Sequence, residues 1–230
     1  MIKAILFDMD GVIYDSMSTN ALAWHEAMSS VGAKSTLEDF YLFEGRTGSA
    51  IIDVLFERSF GKKATEKEKQ DIYNRKVDLF NKMQPNGAKP MDGIKEVLTI
   101  VKKIGLTPVI VTGSGQQSMF DGLEQHFPTV YNRNRIVTAY DVKCGKPHPE
   151  PYLIGLEKAG VNPEEAIVIE NAPLGIKSAK AAGIFTIAVN TGILANQQLV
   201  KAGADLIFSS MHKLAEELEF IVYEIASNNK

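Results

Sequence analysis

Six short apolar runs, set apart by stretches long enough for helices, constrain this chain more than any other feature. They are Ile2–Phe7, Pro108–Thr112, Ile136–Val137, Ala166–Ile169, Ile184–Val189 and Leu206–Phe208. Continuous apolar runs of this length fit strands buried on both faces. Between the later ones, helical patterns cover about 93–104, 116–126, 150–159, 173–182 and 211–226. Such alternation predicts an α/β fold, a Rossmann-like parallel sheet core with helices on both faces.

The stretch 16–84 breaks the alternation. Ser16 is placed to cap a helix carrying Met17, Ala21, Trp24, Met28 and Val31, which Gly32 ends. Further helical patterns span about 47–59 and 65–84, and no strand pattern intervenes. This segment reads as an inserted all-α helical bundle. The expected domains are therefore 1–15 with 85–230 as the core and 16–84 as a helical cap, with Pro85–Pro90 as the return linker.

At 230 residues with a net charge of −3, the chain fits a globular protein without a nucleic-acid surface. No apolar run is long enough to span a bilayer, and the start of the sequence lacks the pattern of a secretory signal. A single cysteine, Cys144, excludes an internal disulfide framework and fits a cytoplasmic, reducing setting. A monomer is expected.

Ligands of open α/β sheets sit beyond the carboxyl ends of the strands. There the sequence places Asp8 and Asp10, then Thr112, Gly113 and Ser114, then Glu170 and Asn171, with Lys146 in a loop before a helix. Two neighbouring carboxylates raise each other's proton affinity, and a divalent cation is the simplest compensation. Carboxylates, hydroxyls, backbone donors and a fixed cation together suit phosphoryl transfer. One carboxylate could attack phosphorus, and a second could serve as acid and base.

In this order the motifs Asp8-Met9-Asp10-Gly11-Val12, Thr112, Lys146-Pro147 and Glu170-Asn171-Ala172-Pro173-Leu174-Gly175 resemble those of the haloacid dehalogenase superfamily of aspartate-nucleophile phosphotransferases. The insert after the first motif is similar to the helical cap of the branch holding β-phosphoglucomutase and many sugar-phosphate phosphatases. The resemblance implies Asp8 as nucleophile and Asp10 as general acid/base. It implies Mg²⁺ held by Asp8, the Asp10 carbonyl, Glu170 and Asn171. It implies phosphate binding by Thr112, Gly113, Ser114 and Lys146. The second aspartate argues against a dehalogenase, which has no alkoxide to protonate.

Four positions depart from the mutase pattern. Asn171 stands where the branch has an acid, Asn20 where the mutases have a histidine, Glu44 where they have a lysine, and Gly48 where they have an arginine. Asn20, Trp24, Arg46 and Lys76 remain as cap residues that could set specificity, and His25 reads as a surface histidine. The expected function is a Mg²⁺-dependent phosphatase for a small phosphorylated metabolite, a sugar or polyol phosphate. The alternative is a β-phosphoglucomutase.

Overall fold

The computed structural model describes residues 1–128 and 132–228. Six parallel strands form the central sheet: β1 (Ala4–Phe7), β4 (Thr107–Val111), β5 (Ile136–Val137), β6 (Ala166–Glu170), β7 (Phe185–Val189) and β8 (Leu206–Phe208). Their spatial order is β5-β4-β1-β6-β7-β8. The chain reverses direction across β1, which pairs with β4 on one side and β6 on the other. That switch point puts the ends of β1, β4 and β6 side by side, where an open α/β sheet binds its ligand.

Alternation along β1 distributes its side chains to both faces. Ile5 and Phe7 pack with α5 (Ile94–Lys103), α6 (Gln117–His126) and α10 (Met211–Asn228), while Ala4 and Leu6 pack with α7 (Glu150–Ala159) and α8 (Pro173–Ala181). All four are fully buried. The α/β architecture expected from the apolar runs is the one observed.

Between β2 (Tyr14–Asp15) and β3 (Lys89–Pro90) stand four helices: α1 (Met17–Ser29), α2 (Leu37–Leu42), α3 (Gly48–Phe60) and α4 (Glu66–Met83). They share an apolar cluster centred on Trp24, Phe40, Ile52, Leu55 and Ile72. Thr36, Thr47 and Thr65 each accept a backbone N–H as side-chain caps of α2, α3 and α4. The short helix α2 carries too few residues for a periodic signal, so the sequence pattern does not show it. The two connecting segments are paired: Tyr14 lies opposite Pro90 and Asp15 opposite Lys89 in an antiparallel ribbon. Helix α9 (Asn196–Ala202), also short, covers the β7–β8 connection. Among the described residues no helix is long and apolar enough to cross a membrane.

Candidate active site

Six charged side chains are buried in the described chain: Asp8, Asp10, Glu44, Glu170, Lys76 and Lys146. All belong to one region where the carboxyl ends of the central strands meet the helical insert. Asp8 follows β1 directly, and Gly11, at φ +81°, turns the chain so that Asp10 faces the same space.

Lys146 is held at the centre by three acceptors. Its Nζ donates to Asp8 Oδ1 at 2.5 Å, Glu170 Oε1 at 2.7 Å and the Val111 carbonyl at 3.0 Å. Burial alone would pull the Lys146 ammonium down, but Asp8 and Glu170 outweigh it and hold it well above the usual lysine range. Asp8 is raised as well, but by burial itself, to about 8, against the pull of Lys146 and with a further push from Glu170.

Glu170 has its acceptor sites filled. Oε1 also accepts from Tyr152, and Oε2 accepts from the Asn171 and Ala172 amides. Gly175 makes this possible, since a Cβ there would lie 1.6 Å from Glu170 Oε1. In this arrangement Glu170 anchors Lys146, and it would ligate a metal only by giving up one of those donors. Lys146 likewise sits between two carboxylates with its donors engaged, rather than open to the cavity.

Asp10 is held by the insert. Its Oδ1 accepts from Ser16 Oγ at 2.5 Å and from Asn20 Nδ2 at 3.4 Å. Ser16 occupies the N-cap position of α1 but makes no capping bond; its hydroxyl goes to Asp10 instead. Burial raises the Asp10 carboxyl, with the Ser16 bond opposing.

A cavity of about 50 Å³ separates the sheet ends from the insert. It is lined by Asp8, Asp10, Thr112, Gly113 and Ser114 from below, and by Asn20, Trp24, Arg46 and Lys76 from above. Lys146, Glu170 and Asn171 lie behind that wall. Thr112 Oγ1 accepts the Ser114 amide, so this N–H shapes the turn instead of facing the cavity. Gly113 is pressed against the insert, where a Cβ would lie 2.5 Å from the Gly45 carbonyl. Lys76 reaches over the Trp24 ring at 5.6 Å, and burial pulls its ammonium down to about 8. His25 is remote from the cavity and bonds Ser35 at 3.0 Å.

Glu44 is the residue that the sequence pattern misses. It stands out there only as a lysine position lost. In the structure it turns inward, 7% exposed, and both carboxylate oxygens accept from Asn171 Nδ2, at 3.1 and 3.2 Å. Burial and the surrounding acids Asp8, Glu170 and Asp10 push the Glu44 carboxyl well above its ordinary value.

The donor set suits a hard divalent cation. Asp8 Oδ2 and Asn171 Oδ1 are buried oxygens with no hydrogen-bond partner. Four buried carboxyl groups face two buried lysines, a formal excess of two negative charges once all four ionise, which a divalent cation would balance.

A second group, Cys144, His148 and Glu150, surrounds Lys146 on the outside of the loop. Part of it is already engaged: Glu150 accepts from the Lys143 and Cys144 amides, and His148 Nδ1 from the Glu150 amide. These bonds shape the loop that delivers Lys146.

The family model for haloacid dehalogenase-like hydrolases matches residues 5–189. The chain belongs to the haloacid dehalogenase-like hydrolase family. It is an enzyme of that family. A phosphorylated carbohydrates phosphatase of Thermotoga maritima is 29% identical over 88% of this chain and 92% of its own length. Hexitol phosphatase A of Escherichia coli is 30% identical over 82% of this chain and 83% of its own. A solved structure from Bacteroides vulgatus, provisionally assigned as a β-phosphoglucomutase, is 48% identical with a TM-score of 0.91, covering 97% of this chain and 90% of that one.

Proposed function

We propose that this enzyme is a Mg²⁺-dependent cytoplasmic phosphatase of a small phosphorylated metabolite, working through an aspartyl-phosphate. The observation that carries the reading is the pair Asp8 and Asp10 at the cavity floor. Asp8 Oδ2 is buried without a partner, while Asp10 is held by Ser16 and Asn20 from the insert.

Asp8 attacks phosphorus with one carboxylate oxygen while the other would face the cation, the carboxylate being oriented by Lys146. The raised proton affinity of Asp10 keeps a proton available for the leaving oxygen. The same carboxylate then takes a proton from the water that hydrolyses the phospho-Asp8. Thr112 and the Gly113 turn face the phosphoryl oxygens, and Lys146 supplies fixed positive charge beside Asp8. Asp8, the Asp10 carbonyl, Asn171 and Glu44 would hold Mg²⁺, with Glu170 joining if it releases a donor. The bound ion supplies charge stabilisation at the phosphoryl oxygens.

The relatives acting on carbohydrate and hexitol phosphates support a sugar- or polyol-phosphate substrate. A cavity of about 50 Å³ has room for a few waters, so substrate enters only when the insert moves away as a cap. Asn20, Glu44 and Gly48, the departures from the mutase pattern, favour hydrolysis over the mutase reaction.

A phosphorus NMR time course with Mg²⁺, β-glucose 1-phosphate and a trace of glucose 1,6-bisphosphate tests the choice. Free phosphate without prior glucose 6-phosphate supports the phosphatase; glucose 6-phosphate appearing first makes the enzyme a mutase. A substrate series graded by leaving-group size, from pyrophosphate and phosphoglycolate to hexose phosphates, then identifies the class. No turnover across that series overturns the reading.

A further inference from the structure

Gln116 is almost fully buried, 3% exposed, at the N-cap position of α6. N-cap positions favour short polar side chains that accept a backbone N–H, and Gln116 makes no such bond. Its amide reaches across the seam to α4 of the insert instead. Oε1 accepts from Lys76 Nζ at 3.2 Å. Nε2 donates to Asn81 Oδ1 at 3.3 Å and to Ser118 Oγ at 2.9 Å. Ser118 Oγ in turn donates to the same Asn81 oxygen at 3.1 Å. The Lys76 ammonium can only donate, so the oxygen end of the amide faces it. A long amide at an N-cap position, bonded into a buried network instead of to the helix, marks a site with another demand on it.

The identity of the residue matters as much as its place. Lys76 is 4% exposed, yet its close polar partner is a neutral amide, with the Trp24 and Phe80 rings at 5.6 and 5.1 Å. A carboxylate at 116 would neutralise the ammonium. An amide oxygen stabilises it and leaves its charge directed at the cavity.

We infer that Gln116 is a positioning residue, the core half of a catch that closes the cap and holds the Lys76 ammonium over the substrate without a carboxylate in direct contact. Asp10 acts on that ammonium only across the cavity. The inference rests on the phosphatase reading for its consequence, because the charge so held would meet an anionic substrate. The catch itself is independent of the chemistry at Asp8. Opening the cap breaks three contacts together: Lys76 to Gln116, Gln116 to Asn81 and Ser118 to Asn81.

Trp24 is the sole tryptophan and is 5% exposed against the cavity, so its emission reports closure without any turnover. Acrylamide quenching and binding of inorganic phosphate in Mg²⁺ should be measured for wild type, Gln116→Leu and Gln116→Glu, with thermal unfolding as the fold control. Gln116→Leu removes the catch: quenching rises and phosphate binds about tenfold more weakly, the scale of a lost hydrogen bond to a charged group. Gln116→Glu restores an acceptor for Lys76, so quenching stays at the wild-type level while phosphate binding falls by about the same factor. This separation is what a purely structural role does not produce.

Wild-type quenching in Gln116→Leu, or the same behaviour of both variants in both assays, overturns the inference. Should Gln116→Leu fail to fold, Asn81→Ala replaces it, with increased quenching expected and unchanged quenching contradicting the catch. If no phosphate monoester is turned over, the quenching arm still decides the catch, so its failure and that of the phosphatase reading stay distinct.

Discussion

Asn171 Nδ2 lies 3.1 and 3.2 Å from the two carboxylate oxygens of Glu44, joining the end of β6 to the loop before α3 of the insert. The amide at 171 and the acid at 44 are complementary departures. A negative charge missing from the core is returned by the insert, beside the uncommitted Asn171 Oδ1. Glu44→Gln is expected to weaken Mg²⁺ binding about tenfold, measured by calorimetry, as for loss of one charged ligand-shell contact. Adding Asn171→Asp to Glu44→Gln should recover most of that loss. Unchanged affinity in Glu44→Gln would remove Glu44 from the metal site.

Lys146 bridges Asp8 and Glu170 with no exposure to solvent. Lys146→Met keeps the volume and deletes the cation, leaving two buried carboxylates without their partner. A cost of about 3–5 kcal/mol in urea unfolding is expected in the absence of metal. Mg²⁺ should return part of it. A cost near zero would mean that the carboxylates do not depend on Lys146.

Stability should respond to pH in the direction set by the raised acids. Asp8 moves from 3.8 to about 8 on folding, and Asp10 and Glu44 rise with it, burial being the main cause in each. The folded state therefore holds more protons than the unfolded one between those values. Stability is greatest at the acid end of this window and is lost as pH rises through the folded values. In EDTA the Tm should be lower near pH ~8 than near pH ~5.5, and Mg²⁺ should reduce the difference. A metal-free Tm that rises across this range would contradict the arrangement of acids described.

Much of this was legible in the residues themselves, for physical reasons. Buried strands such as Ala166–Glu170 are short and wholly apolar until their last residue, so both the sheet and the acid at its edge stand out. Asp8, Thr112 and Glu170 are visible because a strand end fixes where a side chain can go. Glu44 and Gln116 are not visible in this way. Each lies on a connection, and each acquires its role from a distant residue, Asn171 at 127 positions from Glu44 and Lys76 at 40 from Gln116. Ser16 was legible as an N-cap by position, but the nearby Asp10 takes its hydroxyl. The tandem substitution at 44 and 171 was the one available signal, and it appears as such only when both residues are considered as a pair.

In the proposed reaction the phosphoryl group passes through Asp8. Acid quenching during turnover, followed by peptide mass spectrometry, tests this most directly. A hydroxylamine-sensitive phosphoryl group is expected on the peptide containing Asp8, dependent on Mg²⁺ and absent together with turnover in Asp8→Asn. Turnover retained in Asp8→Asn, or a phosphoryl group found on another residue, would contradict that route.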